Sequence, residues 1–258
     1  MAIESPIMTS VLPDNYGFSA ERLERLAEIE RWHFWFVGRR ALIDKLLAVH
    51  LKMPGATVLD LGCGTGLMLE SLTLRGNLAI GLDLRPEGLA ATRRDLPAAR
   101  LLRADATSLP LADASCDAIL LLDILEHLDD RALLKEVKRT LRPGGLLVLT
   151  VPALPWLWSY RDLAAGHLRR YRRGELCALL EESGLRIQEM RYYQCLLFPL
   201  VALTRLGGRR GPAARDMEER PISFLNSLLT WVNRLEVKLG QLIRWPIGSS
   251  LVAVCRKR

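Results

Sequence analysis

The sequence is short of cysteine, of histidine and of long apolar runs. Its five cysteines, Cys63, Cys116, Cys177, Cys195 and Cys255, are odd in number and form no Cys-x-x-Cys pair. That argues against a disulfide framework and a structural zinc, and for a reducing compartment. No apolar run reaches about eighteen residues, so no segment is expected to span a bilayer. Met1-Ala2-Ile3-Glu4-Ser5-Pro6 lacks the basic stretch and apolar run of a secretory signal, so a cytoplasmic location is expected. Net charge is also lacking over most of the chain. Residues 1–194 hold 25 Lys and Arg against 25 Asp and Glu, whereas residues 195–258 hold 11 against 4 and so carry the whole +7 excess.

What is present is a patterned α/β chain of 258 residues, 50% of them apolar. That length fits one decorated α/β domain, and that apolar share is enough for a large core. Residues 57–66 read Thr-Val-Leu-Asp-Leu-Gly-Cys-Gly-Thr-Gly. A short apolar run stops at Asp60, glycines follow at 62, 64 and 66, and residues 67–72 have helical composition. This is strand, glycine turn, helix. Without a Cβ, the backbone N–H groups of such a turn can approach a ligand closely. A dinucleotide fold would place its third glycine one residue later, which counts against a nucleotide-binding oxidoreductase.

Apolar runs ending in an acid recur. Residues 77–83 end in Asp83, residues 101–106 contain Asp105, and residues 116–123 end in Asp123. A fifth run, 146–151, follows the turn Arg142-Pro143-Gly144-Gly145, and helical patterns occupy 86–95 and 129–141. Strands alternating with helices predict a parallel sheet covered on both faces. Each acid alone could cap a helix or sit in a solvated loop. Their recurrence at successive strand tips favours one shared ligand, and an acid at the second tip suits a ribose with two hydroxyls to donate.

These motifs resemble those of class I S-adenosylmethionine (SAM)-dependent methyltransferases. From about residue 30 onward the chain is similar to small bacterial enzymes of the methyltransferase type 11/12 kind. The likeness includes the run Glu30-Arg31-Trp32-His33-Phe34-Trp35-Phe36-Val37-Gly38-Arg39-Arg40, the stretch 151–159 and Gly166-His167-Leu168-Arg169-Arg170-Tyr171. It implies a Rossmann-like seven-stranded sheet, mostly parallel with the last strand antiparallel, with helices on both faces and a helical insert between strands six and seven. It implies SAM as cofactor and S-adenosylhomocysteine as product. Carried onto this chain, the cofactor residues are Asp60, Gly62, Cys63, Gly64, Gly66, Asp83, Leu84, Asp105, Ala106 and Asp123. Asp105 would face the adenine amino group, the backbone at Ala106 the ring, and Asp123 the methionine moiety. The aromatic run with its paired arginines would cover SAM and hold its carboxylate. A plainer reading makes that run a hydrophobic staple ahead of a helix at 41–51.

Methyl transfer from a sulfonium is an in-line displacement. The protein must bring the acceptor to the methyl carbon and, for a hydroxyl or amine, remove a proton. Of only four histidines, His127 and His167 fall where the acceptor would lie, after the fourth and fifth strands. Histidine is matched to proton transfer near neutral pH, so His167 is the first catalytic candidate and His127 the second. Either could instead hold backbone or a neighbouring side chain. Tyr160, Arg170 and Tyr171 are the expected substrate contacts. Asp123, Glu126 and His127 make an oxygen-rich cluster of the kind that suits magnesium, but such neighbours arise by chance and no metal is expected. The acceptor is expected to be an oxygen, or nitrogen, of a small or lipid-like molecule. No Asn/Asp-Pro-Pro-aromatic motif follows the fourth strand, and nucleic acid is not expected as a partner.

The expected organisation is an N-terminal helical cap (1–56), a SAM-binding Rossmann-like core (57–194), a helical insert over the acceptor site (195–248) and a final core strand (249–258). Within the insert, a Gly/Arg/Pro-rich loop (207–221) precedes a helix at 222–244 with an apolar face, Arg234, Lys238 and Arg244, and with Trp231 and Trp245. Such a helix either packs on the domain or lies in a lipid interface. Peripheral contact with an anionic membrane is therefore expected as a possible role. The competing reading is a non-catalytic SAM-fold partner protein, held to a membrane or nucleic acid by its basic C-terminal region.

Overall fold

The computed structural model describes residues 20–206, 221–240 and 242–258. Most of the Gly/Arg/Pro-rich loop and the first part of the N-terminal cap lie outside the described residues. Seven strands form one sheet: β1 (Thr57–Leu61), β2 (Leu78–Asp83), β3 (Arg100–Arg103), β4 (Cys116–Leu122), β5 (Leu141–Pro152), β6 (Leu185–Tyr193) and β7 (Ser250–Lys257). Their order is β3-β2-β1-β4-β5-β7-β6. β1 to β5 pair in parallel, and β7 runs antiparallel to both of its neighbours. This is the expected class: a mostly parallel Rossmann-like sheet with a reversed last strand.

The central strands read as unbroken apolar runs because both faces are covered. Successive side chains alternate between faces. Leu59, Ile119, Leu121, Leu147 and Leu149 join one core cluster, with Leu133 and Val137 of α5 (Asp130–Thr140) and Leu176 and Leu180 of α7 (Arg173–Glu182). Val58, Leu120, Val148 and Val252 join the other, with Ile43 and Leu47 of α2 (Phe34–His50) and Leu69 and Leu72 of α3 (Leu67–Leu74). The remaining helices are α1 (Ala20–Ile29), α4 (Pro86–Asp95), α6 (Tyr160–Ala165), α8 (Phe198–Leu206) and, last among the described residues, α9 (Ser223–Leu239).

Two local expectations change. The aromatic run does not precede its helix but forms the first turns of α2, because His33 caps the helix with Nδ1 accepting from the Trp35 amide. The helix expected over 222–244 ends at Leu239, before Gly240.

The placement of α9 is the less ordinary feature. Its inward side carries Asn226, Leu229, Asn233, Glu236 and Val237. Asn226 accepts from the Phe34 amide at 2.9 Å and donates to the Trp32 carbonyl at 2.8 Å; Asn233 donates to the Phe34 carbonyl at 3.0 Å. Glu236 accepts from the Cys195 and Leu196 amides. Gly38 of α2 lets the helices close up, since a Cβ there would lie 2.8 Å from Asn233. Polar residues together with Leu229 and Val237 thus dock α9 on the domain, while four apolar side chains, Phe224, Leu225, Leu228 and Trp231, face outward.

Candidate active site

A cleft of about 580 Å³ opens at the carboxyl edge of the sheet, where open α/β sheets bind their ligands. The β1 turn supplies Gly62, Cys63 and Gly64 to its wall, the β2 tip Asp83 and Leu84, the loop after β3 Asp105 and Ala106, and the β4 tip Asp123. The amides of Gly62 and Cys63 donate to the Leu82 carbonyl at 2.7 and 3.0 Å, which fastens the turn to β2. Asp83 then accepts from the Gly64 amide at 2.9 Å and the Arg85 amide at 2.8 Å. Gly64 has a positive φ, and a Cβ built on it would meet no atom within 4 Å; a side chain there would enter open space. Gly62 differs, because its Cβ would collide with Ile124 at 2.2 Å. Asp60 and Gly66 are not on the cleft wall. Asp60 is buried beneath the turn, and burial pushes its carboxyl up to about 7.

The N-terminal aromatics close this half of the cleft. Arg39 pairs with Asp123, and its guanidinium lies 4.5 Å from the ring centre of Trp35 and 5.5 Å from that of Phe36. Glu30, buried on the same wall, accepts a short hydrogen bond from the Thr65 hydroxyl. Asp123 takes up a left-handed φ of 57°, and Gln194 at the tip of β6 one of 56°. Such non-glycine conformations cluster at functional sites.

The other half contains both expected histidines. His167 donates from Nδ1 to Asp162 Oδ1 at 2.9 Å and points Nε2 towards Glu126 Oε1, 3.8 Å away. His127 donates from Nδ1 to the Gly166 carbonyl at 3.2 Å, and the two rings meet edge to face with centres 4.9 Å apart. Asp162 also accepts from Arg170 at 2.7 Å and from Arg205 of α8 at 2.8 Å. Burial alone would raise its carboxyl, but the His167 hydrogen bond and the two guanidinium charges outweigh this and hold it well below the usual carboxylate range. Burial, with the charge of Arg170, brings Arg205 down to about 10. Glu126 is wholly buried and neither of its oxygens has a hydrogen-bond partner. Burial first, and then the charge of Asp123, pushes its carboxyl well above the ordinary value.

Tyr160 and Arg170 line this half; Tyr171 does not. The Tyr171 hydroxyl donates to the Leu125 carbonyl at 3.3 Å, and its backbone bridges to Ala153, so it fixes the loop after β5. Asp162, Arg205 and Gln194 also line the cleft, without having been expected from the sequence. For Asp162 a signal existed: Ser159-x-x-Asp162 is a capping box that starts α6, but its carboxylate also turns towards His167. Arg205 lies in a helix whose position local sequence does not determine.

Comparison with known proteins agrees with this geometry. A family model described as a methyltransferase domain matches residues 59–149. A protein of Mycolicibacterium smegmatis named "probable S-adenosylmethionine-dependent methyltransferase" is 30% identical over 184 residues, covering 70% of this chain and 69% of that one. The crystal structure of an S-adenosylmethionine-dependent methyltransferase from Mesorhizobium loti superposes with a TM-score of 0.57 at 21% identity, covering 84% of this chain and 98% of that one. The geranyl diphosphate C-methyltransferase of Streptomyces coelicolor, solved with Mg2+, geranyl diphosphate and S-adenosyl-L-homocysteine, gives a TM-score of 0.57 at 17% identity, covering 84% and 78%. At these identities the two structures share the fold with the chain.

Proposed function

The chain belongs to the S-adenosylmethionine-dependent methyltransferases, and from that premise we propose that it methylates an oxygen of a small, lipid-like acceptor bound beside His167. The observation that carries this reading is the two-part cleft. One half has the acids and the open glycine turn for a nucleoside and an amino acid, and the other has two histidines and an apolar rim. SAM supplies a methyl on a positively charged sulfur, and S-adenosylhomocysteine leaves. The residues of the chain do the rest. Asp83 can accept from both ribose hydroxyls while it holds the Gly64 amide. Asp105 and Ala106 stand at the adenine end. The Asp123–Arg39 pair offers one charge to an ammonium and the opposite charge to a carboxylate. His167, held in one tautomer by Asp162, activates the acceptor oxygen, with His127 beside it. Tyr160 and Arg170 line the acceptor's way in, as do Leu197 and, from α8, Val201 and Arg205.

The lipid-like character rests on the surface around the cleft. Leu200 and Leu203 of α8, with Trp156 and Trp158 nearby in the fold, are exposed, as are Phe224, Leu225, Leu228 and Trp231 of α9. Trp156 packs edge to face on Phe198, the first residue of α8. Exposed apolar side chains grouped on one element, as on α9, mark an interaction site. Arg234 and Lys238 on the same helix, within the C-terminal charge excess, suit an anionic bilayer. No helix among the described residues is long and apolar enough to cross a membrane, so the contact proposed is peripheral. The fold admits an apolar acceptor elsewhere, since the Streptomyces relative by fold holds geranyl diphosphate.

The test is label transfer. The enzyme, SAM labelled on its methyl group and a bacterial membrane lipid extract should yield label in the lipid fraction, released by treatments that cleave methyl esters or ethers. Label confined to water-soluble products would overturn the lipid assignment. Label on carbon or nitrogen would overturn the oxygen assignment.

A further inference from the structure

We propose that Glu126, His127 and His167 form a binding site for a divalent transition-metal cation that faces the acceptor half of the cleft. A carboxylate oxygen of Glu126 and one ring nitrogen from each histidine lie within 4.8 Å of one another. Glu126 is 0% exposed, and both of its oxygens lack a hydrogen-bond partner. A buried carboxylate without partners is costly unless something neutralises it. The nearby guanidinium groups are engaged elsewhere, Arg170 and Arg205 on Asp162 and Arg39 on Asp123, and the His167 ring nitrogen that faces Glu126 stands 3.8 Å away, beyond hydrogen-bond distance.

The second observation is the arrangement around the two imidazoles. A metal-bound histidine almost always donates its other N–H to a carboxylate or a backbone carbonyl, which fixes the ring and its tautomer. Here His167 Nδ1 donates to Asp162 and His127 Nδ1 to the Gly166 carbonyl. A carbonyl only accepts, so the lone pair of His127 is on Nε2. In His167 the Nε2 atom is the one turned to Glu126, at 3.8 Å. Asp162 is itself anchored by two arginines and the Ser159 amide. The supporting contacts of a cation site are thus already in place on both histidines.

The ligand set also says which cation. Two imidazoles and one carboxylate suit zinc, iron(II), cobalt or manganese, whereas calcium and magnesium favour all-oxygen surroundings. Metal–nitrogen distances of about 2.0–2.1 Å require the three ligand atoms to draw together by a modest side-chain shift. Three protein ligands leave coordination positions open towards the cleft, as in catalytic sites. The set differs from the sequence cluster Asp123, Glu126 and His127: Asp123 is paired with Arg39, and His167, forty residues on in the chain, takes its place.

The chemical consequence rests on the function proposed above. With a cation held there, His167 would serve as a ligand rather than as a base, and an acceptor hydroxyl at an open position would lose its proton to water more readily. Its oxygen lone pair would then form the new C–O bond as the S–C bond breaks and its electron pair returns to sulfur. The binding claim itself does not depend on that reading.

The experiment uses the full chain, stripped with a chelator and titrated with Co2+ and with Mn2+ in the presence and absence of SAM. Calorimetry, the visible absorption of Co2+ and the electron paramagnetic resonance of Mn2+ are the readouts. One equivalent should bind, with a Co2+ spectrum of mixed nitrogen and oxygen ligation. Glu126→Gln and His167→Ala should each weaken binding by 100-fold or more, and Asp162→Asn by about 10–100-fold, the usual range for a residue that supports a ligand. His50→Ala, outside the cleft, should change nothing. Circular dichroism of each variant separates loss of the site from loss of the fold. No saturable binding to the wild type, or binding indifferent to Glu126→Gln, would overturn the proposal. If no cation binds and chelated enzyme keeps full methyl transfer that His167→Ala abolishes, the cation site fails while the acceptor reading stands. If the cation binds but His167→Ala leaves transfer intact, the site stands and the acceptor reading fails.

Discussion

Gly64 and Asp83 are joined across the glycine turn. The Gly64 amide holds the Asp83 carboxylate at 2.9 Å, and nothing lies within 4 Å of where a Gly64 side chain would begin. Gly64→Val should therefore fill cofactor space and strain a left-handed φ, abolishing SAM binding while the fold survives. Asp83→Ala should weaken SAM by roughly 1.5–3 kcal/mol, the range for a hydrogen bond to a charged group. Calorimetry showing wild-type SAM affinity in both variants would remove the cofactor from this turn. Asp60, directly beneath, makes a pH-dependent prediction. Burial raises its carboxyl to about 7 from its ordinary value of 3.8. A carboxyl raised on folding adds stability in full below its unfolded pKa and loses it as pH rises through the folded one. Relative to the neutral Asp60→Asn variant, the wild type should lose about 2–4 °C of Tm for each pH unit between about pH 4.5 and 7, and little beyond. Thermal unfolding profiles that run parallel across that window would show that Asp60 keeps an ordinary pKa.

At the scale of elements, α9 departs in part from the usual rule. Amphipathic helices bury their apolar stripe, whereas α9 buries Asn226, Asn233 and Glu236 beside Leu229 and Val237 and leaves Phe224, Leu225, Leu228 and Trp231 exposed. The periodicity of the stripe is visible in the sequence; its outward direction is not. That direction follows from backbone donors and acceptors left at the start of α2 and after β6, which the buried amides and the carboxylate satisfy. Each exposed apolar side chain that enters a bilayer contributes about 1.5–3 kcal/mol, and each basic residue near an anionic surface about 1 kcal/mol. The protein should co-sediment with anionic but not zwitterionic vesicles, and less at high salt. Replacing Phe224, Leu228 and Trp231 together by Ser should cost more than tenfold in vesicle affinity with the fold unchanged, because none of the three is in the core. Gln at Arg234, Lys238 and Arg244 should weaken binding further. A wild type that ignores anionic vesicles at low salt would leave the stripe as a surface for something other than lipid.

At the scale of the molecule, the sheet brings to one edge groups that lie far apart in the chain. The cofactor half was legible in the sequence because its parts are local: a glycine turn and acids, each at the end of its own apolar run. The other half was legible in its histidines and in Tyr160 and Arg170, which also line it. His127 and His167 could be named from their places after the fourth and fifth strands, but their partners could not. Asp162 has the look of a helix cap, Glu126 could be grouped with Asp123 and His127 but not with His167, and Arg205 arrives from an insert whose docking depends on tertiary contacts. Tyr171 shows the opposite error, since a residue beside the candidates in sequence turns its hydroxyl away from the cleft. The two halves should fail independently, and His167→Ala is the most direct way to see this. SAM affinity and turnover measured on that one variant are expected to diverge, with the dissociation constant for SAM nearly unchanged and kcat lowered by roughly 10²–10⁴. Loss of SAM binding together with turnover would make His167 a structural residue, and full activity would mean that the acceptor reaches the enzyme already ionised; either result would contradict the division of the cleft.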